Sequence, residues 1–527
     1  MINWVKSLGL YFHTIRHLTF RQIYYQVLYR LKRIFVRSVR IRHTPVKSKA
    51  LYLELSIQAN RSYLGNGGFK FLNLQKIFEN HIDWNFSDYR KLWVYNLNYF
   101  DFLHQEKVTD TEAVQLLDSF CLKPLQIRVG AEPYPISIRG VNWIKFFSYK
   151  KMTNSEYDAI LYSHYRHLSL NLEYHILGNH LLENAFSLLF GAYYFEQDAF
   201  YIKAKKLLIA ELEEQILGDG AHFELSPMYH QTILYRLLDC VNLVKNNSWK
   251  NRDLLPMLEG YAHRMLSWLK SMTFSNGDVP MMNDAAFGIA PTSNELVAYA
   301  KRLGIAPAEI KPVDSGYRVV RESDVEMVMD VGNLGPDYIL GHAHSDTFNF
   351  ILYHRGEPLI VEAGTSTYDL GHRRDEERST SSHNTVMVNN RNQSEVWAGF
   401  RVGRRAKIVN LEERDGFLSA SHDGYGNFGI THQRTWRWGQ GEISVDDELV
   451  GANADVVAVA SIHFHPDQIP EVDKQVVKVG PLIIQATEDS SVTIENFNYA
   501  TGFNISRKGF VARFRFKKHL GLRMMFQ

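Results

Sequence analysis

Ile310-Lys311-Pro312-Val313-Asp314-Ser315-Gly316 divides the chain into two parts with different hydrophobic periods. Ahead of it, from about Trp84 to Ala308, apolar residues recur at helical spacing in segments of roughly 15 to 20 residues, joined by short polar breaks. The spacing predicts helices over Glu156–Leu170, His180–Phe195, Ala199–Leu217, Gln231–Asn246 and Asp253–Met272. Many are apolar on more than a narrow stripe, the pattern of helices packed in layers. Repeated helical hairpins of this length fit an incomplete α/α toroid, with a plain helical bundle as the alternative. Beyond Gly316 the period shortens to two. Strands are predicted at Tyr317–Arg321, Val325–Val331, Phe348–Tyr353, Thr385–Val388, Gly429–Trp438, Glu442–Val445, Val456–Phe464 and Leu482–Ala486, separated by turn signals at sandwich-like intervals.

The expected architecture is therefore multidomain. A basic helical arm occupies residues 1–60, an incomplete α/α toroid 61–312, and an antiparallel β-sandwich 313–527. A length of 527 residues accommodates two or three domains, each with its own core. Hydrophobic and charged contents of 45% and 22% are ordinary for a globular chain. The aromatic share of 13% is high; aromatic rings line sugar-binding clefts and also fill cores. Cys121 and Cys240 fit neither a disulfide framework nor a CxxC site. A net charge of +2 singles out no partner class, and no nucleic-acid partner is expected.

Residues 1–50 contain no Asp or Glu. They carry Arg16, Arg21, Arg30, Lys32 and Arg33, then Arg37, Arg40 and Arg42, with Ile23, Val27, Leu31 and Phe35 at helical spacing between. This basic amphipathic pattern has two readings. One is contact with an anionic surface, such as lipid headgroups or an acidic polymer. The other is a helical arm packed on the main body with its basic face in solvent. No apolar run reaches the ~18 residues that a spanning helix needs. The short run after Lys6 is interrupted by His13, Arg16 and His17, so no cleavable secretory signal is expected here.

In Gly341-His342-Ala343-His344-Ser345-Asp346 two imidazoles stand at i and i+2, on one face of an extended chain. The chain then turns at Arg355-Gly356-Glu357-Pro358 and returns as Leu359-Ile360-Val361-Glu362. Ser382-His383-Asn384-Thr385 heads a further apolar strand. His344, Glu362 and His383 make a candidate zinc shell and leave His342 free. The spacing is dispersed, and among 22 histidines some i, i+2 pairs fall by chance; His463-Phe464-His465 is another.

The helical half carries three further polar clusters. Asn179-His180 opens an apolar helix, where Asn is a favoured cap and backbone N–H groups also favour an anion. Asp219-Gly220 leads through Glu224 to Tyr229, at the start of another helix. Arg139, Asn142 and Trp143 supply a cation, an amide and an indole, and Asp278 to Asp284 adds carboxylates.

Taken together, these segments resemble the heparinase II/III-like polysaccharide lyases, which include related oligo-alginate lyases. The resemblance rests on Asn179-His180, Asp219-Gly220 with Tyr229, His342-Ala343-His344, Glu362-Ala363-Gly364-Thr365, Tyr368, and Arg378 to Thr385, in this order across the helix-to-strand switch. It covers the chain from about residue 84 onward. It implies a toroid joined to a sandwich with the active site between, and cleavage of uronic-acid polysaccharides by β-elimination. Asn179 and His180 would neutralise the substrate carboxylate. Tyr229 would be general acid and, for same-face elimination, also base; His342 would be the alternative base, and Tyr368 a second cleft tyrosine. His344, Glu362 and His383 match the family's metal shell, usually zinc and here structural, with Glu362 where Asp is usual. Arg139, Asn142, Trp143 and Arg378 are candidate substrate contacts. Relatives of this layout are associated with bacterial capsule or exopolysaccharide production. The resemblance thus points to the cell envelope or periplasm, with a cytoplasmic or membrane-peripheral placement left open.

Two other classes compete. One is a non-catalytic glycan-binding or assembly factor on the same fold. The other is a glycoside hydrolase, which needs two opposed carboxylates, recruited from Asp219, Glu224 and Asp284.

Overall fold

The computed structural model describes residues 2–35, 46–122 and 127–527. Arg37, Arg40 and Arg42 of the basic arm lie outside the described residues. The arm is helical over α1 (Ile2–Ile15) and α2 (Phe20–Phe35). Residues 46–60 are not helical, contrary to the expected arm. They run extended along the next domain, where Ser148 Oγ and Asn242 Oδ1 accept the N–H groups of Leu51 (3.1 Å) and Glu54 (2.9 Å). A small antiparallel sheet, Tyr63–Gly65, Gly68–Phe71 and Leu74–Ile77, follows.

The helical domain comprises α3 (Arg90–Tyr99), α4 (Asp110–Cys121), α5 (Pro133–Lys150), α6 (Ser155–Leu170), α7 (Gly178–Phe195), α8 (Asp198–Gln215), α9 (Pro227–Asn246), α10 (Leu255–Met272) and α11 (Ser293–Arg302). Local chemistry sets several starts. Thr109 and Glu112 form a capping box on α4, Thr292 and Glu295 one on α11, and Pro133 and Pro227 sit in the first turns of α5 and α9. α5, α7 and α9 pack side by side as an inner layer, with α6, α8 and α10 behind them, giving the incomplete toroid. Inner helices are covered on nearly every side, which explains their broad apolarity. Close approach depends on small residues: a Cβ on Gly140 of α5 would stand 2.6 Å from the Tyr165 hydroxyl, and one on Gly191 of α7 would stand 2.5 Å from the same ring. A buried ion pair, Lys145 Nζ to Asp239 at 2.9 Å, ties α5 to α9.

Two antiparallel sheets follow. One orders Ile408–Arg414, Phe417–His422, Thr431–Gly439, Glu442–Val450, His519–Phe526, Leu482–Ala486, Val476–Val479 and Glu471–Asp473. The other orders Ser491–Gly502, Ile505–Phe516, Ala458–Phe464, Glu357–Val361, Phe350–His354, Val325–Asp330 and Tyr317–Glu322, with Val386–Val388 beside Ala458–Phe464. Burial alternates along Glu442–Val450, as one inward face requires. Phe350–His354 is buried throughout because its outer face packs on the helical domain. There Phe274 stacks on Tyr353 with centroids 3.9 Å apart, near Trp268 and Tyr317.

Two differences from the sequence reading have local causes. The strand predicted from Phe348 starts at Phe350, because Phe348 sits at φ +70° in a turn. The pair Ile408–Arg414 and Phe417–His422 and the long hairpin Ser491–Phe516 escaped prediction. Ile408–Arg414 is an edge strand whose residues are nearly all exposed, so it carries no apolar alternation.

Candidate active site

Ser226 caps α9, accepting from the Tyr229 N–H at 3.4 Å, and Pro227 fixes the first turn. This places Tyr229 at the domain junction. Its hydroxyl lies 3.3 Å from that of Tyr368, which the sandwich contributes. Its ring packs against His342, with centroids 4.0 Å apart. All three side chains are partly exposed. Phe400, largely exposed, edges onto both His342 and Tyr368. Burial raises both phenol pKa values well above 10; Tyr368 raises that of Tyr229 further, and Asp284 that of Tyr368, so both hydroxyls keep their protons.

His342 is gripped between two carboxylates. Its Nδ1 meets Asp284 Oδ2 at 2.8 Å and its Nε2 faces Glu224 Oε2 at 3.4 Å. Asp284 is a buried hub: it also receives His344 Nε2 at 2.9 Å and both terminal nitrogens of Arg374. Burial opposes its ionisation, but Arg374 and the two imidazoles hold its carboxyl well below the usual range. Glu224 accepts from the Asn179 backbone N–H at 2.9 Å, and Asn179 Nδ2 lies 3.0 Å from each of its oxygens.

Asn179 therefore does not cap α7. The helix begins at Gly178, Leu177 occupies the cap position at φ +69°, and no side chain caps it. Gly178 itself has φ +55°, and a Cβ there would meet Glu224 Oε1 and Ile339. The tight entry of α7 is shaped around that carboxylate. One residue on, His180 is only partly exposed, packs on Tyr134 with ring centroids 4.3 Å apart and bonds Glu173 Oε1 through Nδ1 at 3.0 Å. Burial works against its protonation, yet the Glu173 carboxylate holds its pKa above 6.5. Asn184, a turn along α7, donates to the other Glu173 oxygen at 2.9 Å.

The expected substrate contacts are placed elsewhere. Arg139 is buried and donates to the carbonyls of Asn98 and Gly130 (3.1 and 3.0 Å). Trp143 is fully buried against Phe100 and Phe120. Asn142 is buried and donates to Tyr99 O at 2.9 Å, and Arg378 to Ala343 O at 2.8 Å. Inward-facing guanidinium and amide groups satisfy backbone carbonyls here, so none of the four reaches an open face. Glu173 and Arg374 escaped the sequence reading. Arg374 sits in a run of charged residues that reads as a solvated helix, His372–Glu377, and only the fold buries it.

His344, Glu362 and His383 converge. One potential ligand atom from each lies within 4.8 Å of the others. All three residues are buried, and His344 Nδ1, Glu362 Oε1 and His383 Nε2 lack a hydrogen-bond partner. Three buried ligand atoms without a protein partner fit a metal ion. Their remaining atoms are held by protein: His344 Nε2 by Asp284, and His383 Nδ1 by Glu362 Oε2 at 3.1 Å. Asp346, close enough to push the Glu362 pKa up further, also keeps a buried oxygen without a partner. His463 belongs to the sandwich interior and bonds Asn384 Oδ1 at 3.1 Å.

The heparinase II/III N-terminus family model matches residues 85–302, and the heparinase II/III-like C-terminal model matches residues 308–519. A heparin-sulfate lyase of Bacteroides stercoris is 24% identical over 249 residues, 42% of this chain and 37% of that protein. The match thus spans little more than a third of that relative's length. The crystal structure of a heparinase III superposes with a TM-score of 0.70 at 16% identity, over 93% of this chain and 88% of that one. Heparan sulfate lyase HepC from Pedobacter heparinus superposes with a TM-score of 0.57 at 17% identity, over 88% and 81%. With both family models matched in order and the same two-part fold, the chain belongs to the heparinase II/III-like polysaccharide lyase family.

Proposed function

We propose that the protein is a lyase that cleaves a uronic-acid-containing polysaccharide by β-elimination. The observation that carries this reading is the contact set of Tyr229, Tyr368 and His342 at the domain junction. Elimination requires neutralisation of the uronate carboxylate, removal of the C5 proton and protonation of the departing O4. His180, biased toward its cationic form by Glu173, and the Asn179 amide sit where a substrate carboxylate is received; the sugar then competes with Glu224 for that amide. Asp284 engages His342 Nδ1, and Nε2, which faces Glu224 at 3.4 Å, is the ring nitrogen that takes the C5 proton once the sugar displaces that contact. As the C5–H bond breaks, the C4–C5 double bond forms and the C4–O4 bond breaks. Tyr229, protonated by virtue of its raised pKa, delivers its proton to O4.

The His344–Glu362–His383 donor set suits zinc, which would supply a structural cross-link between the His342 loop and the Glu362 hairpin. The carboxylates favour elimination over hydrolysis. A hydrolase needs one protonated acid, whereas neighbouring imidazoles and guanidinium keep both Glu224 and Asp284 ionised, and Asp219 bonds the Val313 and Ser315 backbone. The heparin-sulfate lyase relative supports an acidic glycan as substrate; a tie to bacterial capsule or exopolysaccharide metabolism rests on the family resemblance.

The test is ultraviolet absorbance of the 4,5-unsaturated product over a panel of uronic-acid polysaccharides, beside Tyr229→Phe. Absorbance that rises with the native protein and not with the variant supports the reading. Binding to the same polymers without any rise would make the protein a glycan-binding factor.

A further inference from the structure

α1 and α2 are built inside out. In an ordinary surface helix the apolar stripe faces the core. Here Leu8, Phe12 and Ile15 on α1, and Phe20, Tyr24, Val27 and Leu31 on α2, are exposed, at 83% for Phe20 and 65% for Phe12. Their spacings (i, i+4, i+7 on α1; i, i+4, i+7, i+11 on α2) draw one continuous stripe along each helix. The inward contacts are aromatic and polar: the Tyr25 ring packs on Tyr174 with centroids 4.6 Å apart. Gln22 is buried and donates to Tyr338 O at 3.1 Å and Ile176 O at 3.5 Å. Arg21 lies over the Tyr174 ring and pairs with Glu211 at 3.5 Å. Thr14 donates to Val402 O at 3.2 Å.

Such a contiguous apolar surface is an interaction site, and its charge setting names the partner. No acidic residue precedes Glu54. Arg16 and Arg30 are exposed beside the stripes. The chain continues through Arg33, Arg37, Arg40 and Arg42. Two apolar helical ridges flanked by cations match a bilayer interface, where apolar side chains enter the acyl boundary and cations meet anionic headgroups. Among the described residues no helix is long and apolar enough to cross a membrane. We infer that α1 and α2 dock the protein peripherally on an anionic lipid surface, through the outward stripe that includes Phe12 and Val27.

The arm is bonded to the loops that carry the site. Ile176 lies three residues before Asn179, Tyr338 four before His342, and the Tyr11 ring packs on Trp397 at 4.9 Å, near Phe400. Docking would therefore hold the domain junction beside the membrane. The docking inference stands independently of the chemistry at that junction.

The test is co-sedimentation of the full chain with vesicles of phosphatidylcholine alone or mixed with phosphatidylglycerol, together with the double variants Phe12→Asp/Val27→Asp and Arg16→Glu/Arg30→Glu. All four positions are exposed, so unchanged melting temperatures verify the fold. The expected result is binding to the anionic vesicles that salt weakens and that each double variant lowers at least about tenfold. Absence of binding by the native chain, or equal binding by F12D/V27D, overturns the inference. So does a native dimer in solution that F12D/V27D dissociates without any vesicle binding, which would make the stripe an interface between copies.

Discussion

Glu224 holds Asn179 twice, through the backbone N–H at 2.9 Å and through the side-chain amide at 3.0 Å. Its second oxygen reaches His342 at 3.4 Å, so one carboxylate links the start of α7 to the sandwich loop. Glu224 is thus a positioning residue. Glu224→Ala is expected to lower kcat/KM by about 10- to 100-fold, the loss of one or two charge-assisted bonds, with Glu224→Gln partly restoring it. Gly178→Ala, whose Cβ would strike the same carboxylate at a positive φ, should lower stability by roughly 1–3 kcal/mol, read by denaturant unfolding.

Tyr229→Phe removes the proton proposed for O4 and leaves the ring against His342. The melting temperature should hold while product absorbance falls by about 100-fold or more. Tyr368→Phe removes only a neighbour 3.3 Å from that hydroxyl and should cost less. A larger loss in Tyr368→Phe than in Tyr229→Phe would reverse the two assignments.

The buried donors of His344, Glu362 and His383 predict that purified protein carries close to one divalent ion per chain, measurable by elemental analysis. Chelation should lower the melting temperature. Zinc added back at about 100 times its dissociation constant should restore roughly 2.7 kcal/mol. His383→Ala should abolish the response to both treatments.

Lys145 and Asp239 are both buried, and removal of one partner strands the other charge. Asp239→Leu should destabilise by about 3–5 kcal/mol. The double change Lys145→Met/Asp239→Leu should recover much of that, because neither member of the pair is then left as a buried charge without its partner, while Arg236 keeps Glu183. Urea unfolding of the two variants side by side distinguishes them.

His180 and Glu173 stabilise each other in a defined pH window. The folded pKa of His180 is raised, so its contribution is complete below 6.5 and is lost as pH rises through the folded value. Burial disfavours the Glu173 anion, but His180 and Asn184 lower its pKa overall, so its contribution is complete above 4.5 and is lost as pH falls through the depressed value. The stability difference between the native chain and His180→Gln should therefore peak between pH 4.5 and 6.5. A difference that is flat with pH would show that the pair contributes no charge interaction.

The two-part architecture is legible along the chain, because a change of hydrophobic period from helix to strand near Gly316 is a local property. So are Asn179, His180, Tyr229, His342 and the cluster of His344, Glu362 and His383, whose types and order survive without knowledge of their contacts. Which polar side chains face inward follows from packing, not from any local pattern. Arg139, Asn142, Trp143 and Arg378 read as a sugar-binding set, yet they satisfy buried carbonyls or fill the core. Arg374 and Asp284 lie 90 residues apart and meet as a fully buried ion pair that braces His342. No local pattern encodes such a meeting, since it comes from packing one domain on the other. The outward stripe of α1 and α2 is of the same kind. The amphipathic period is written in the sequence, but which face turns to solvent depends on the partners the body supplies: the carbonyls of Ile176 and Tyr338 for Gln22, and the Tyr174 ring for Tyr25 and Arg21.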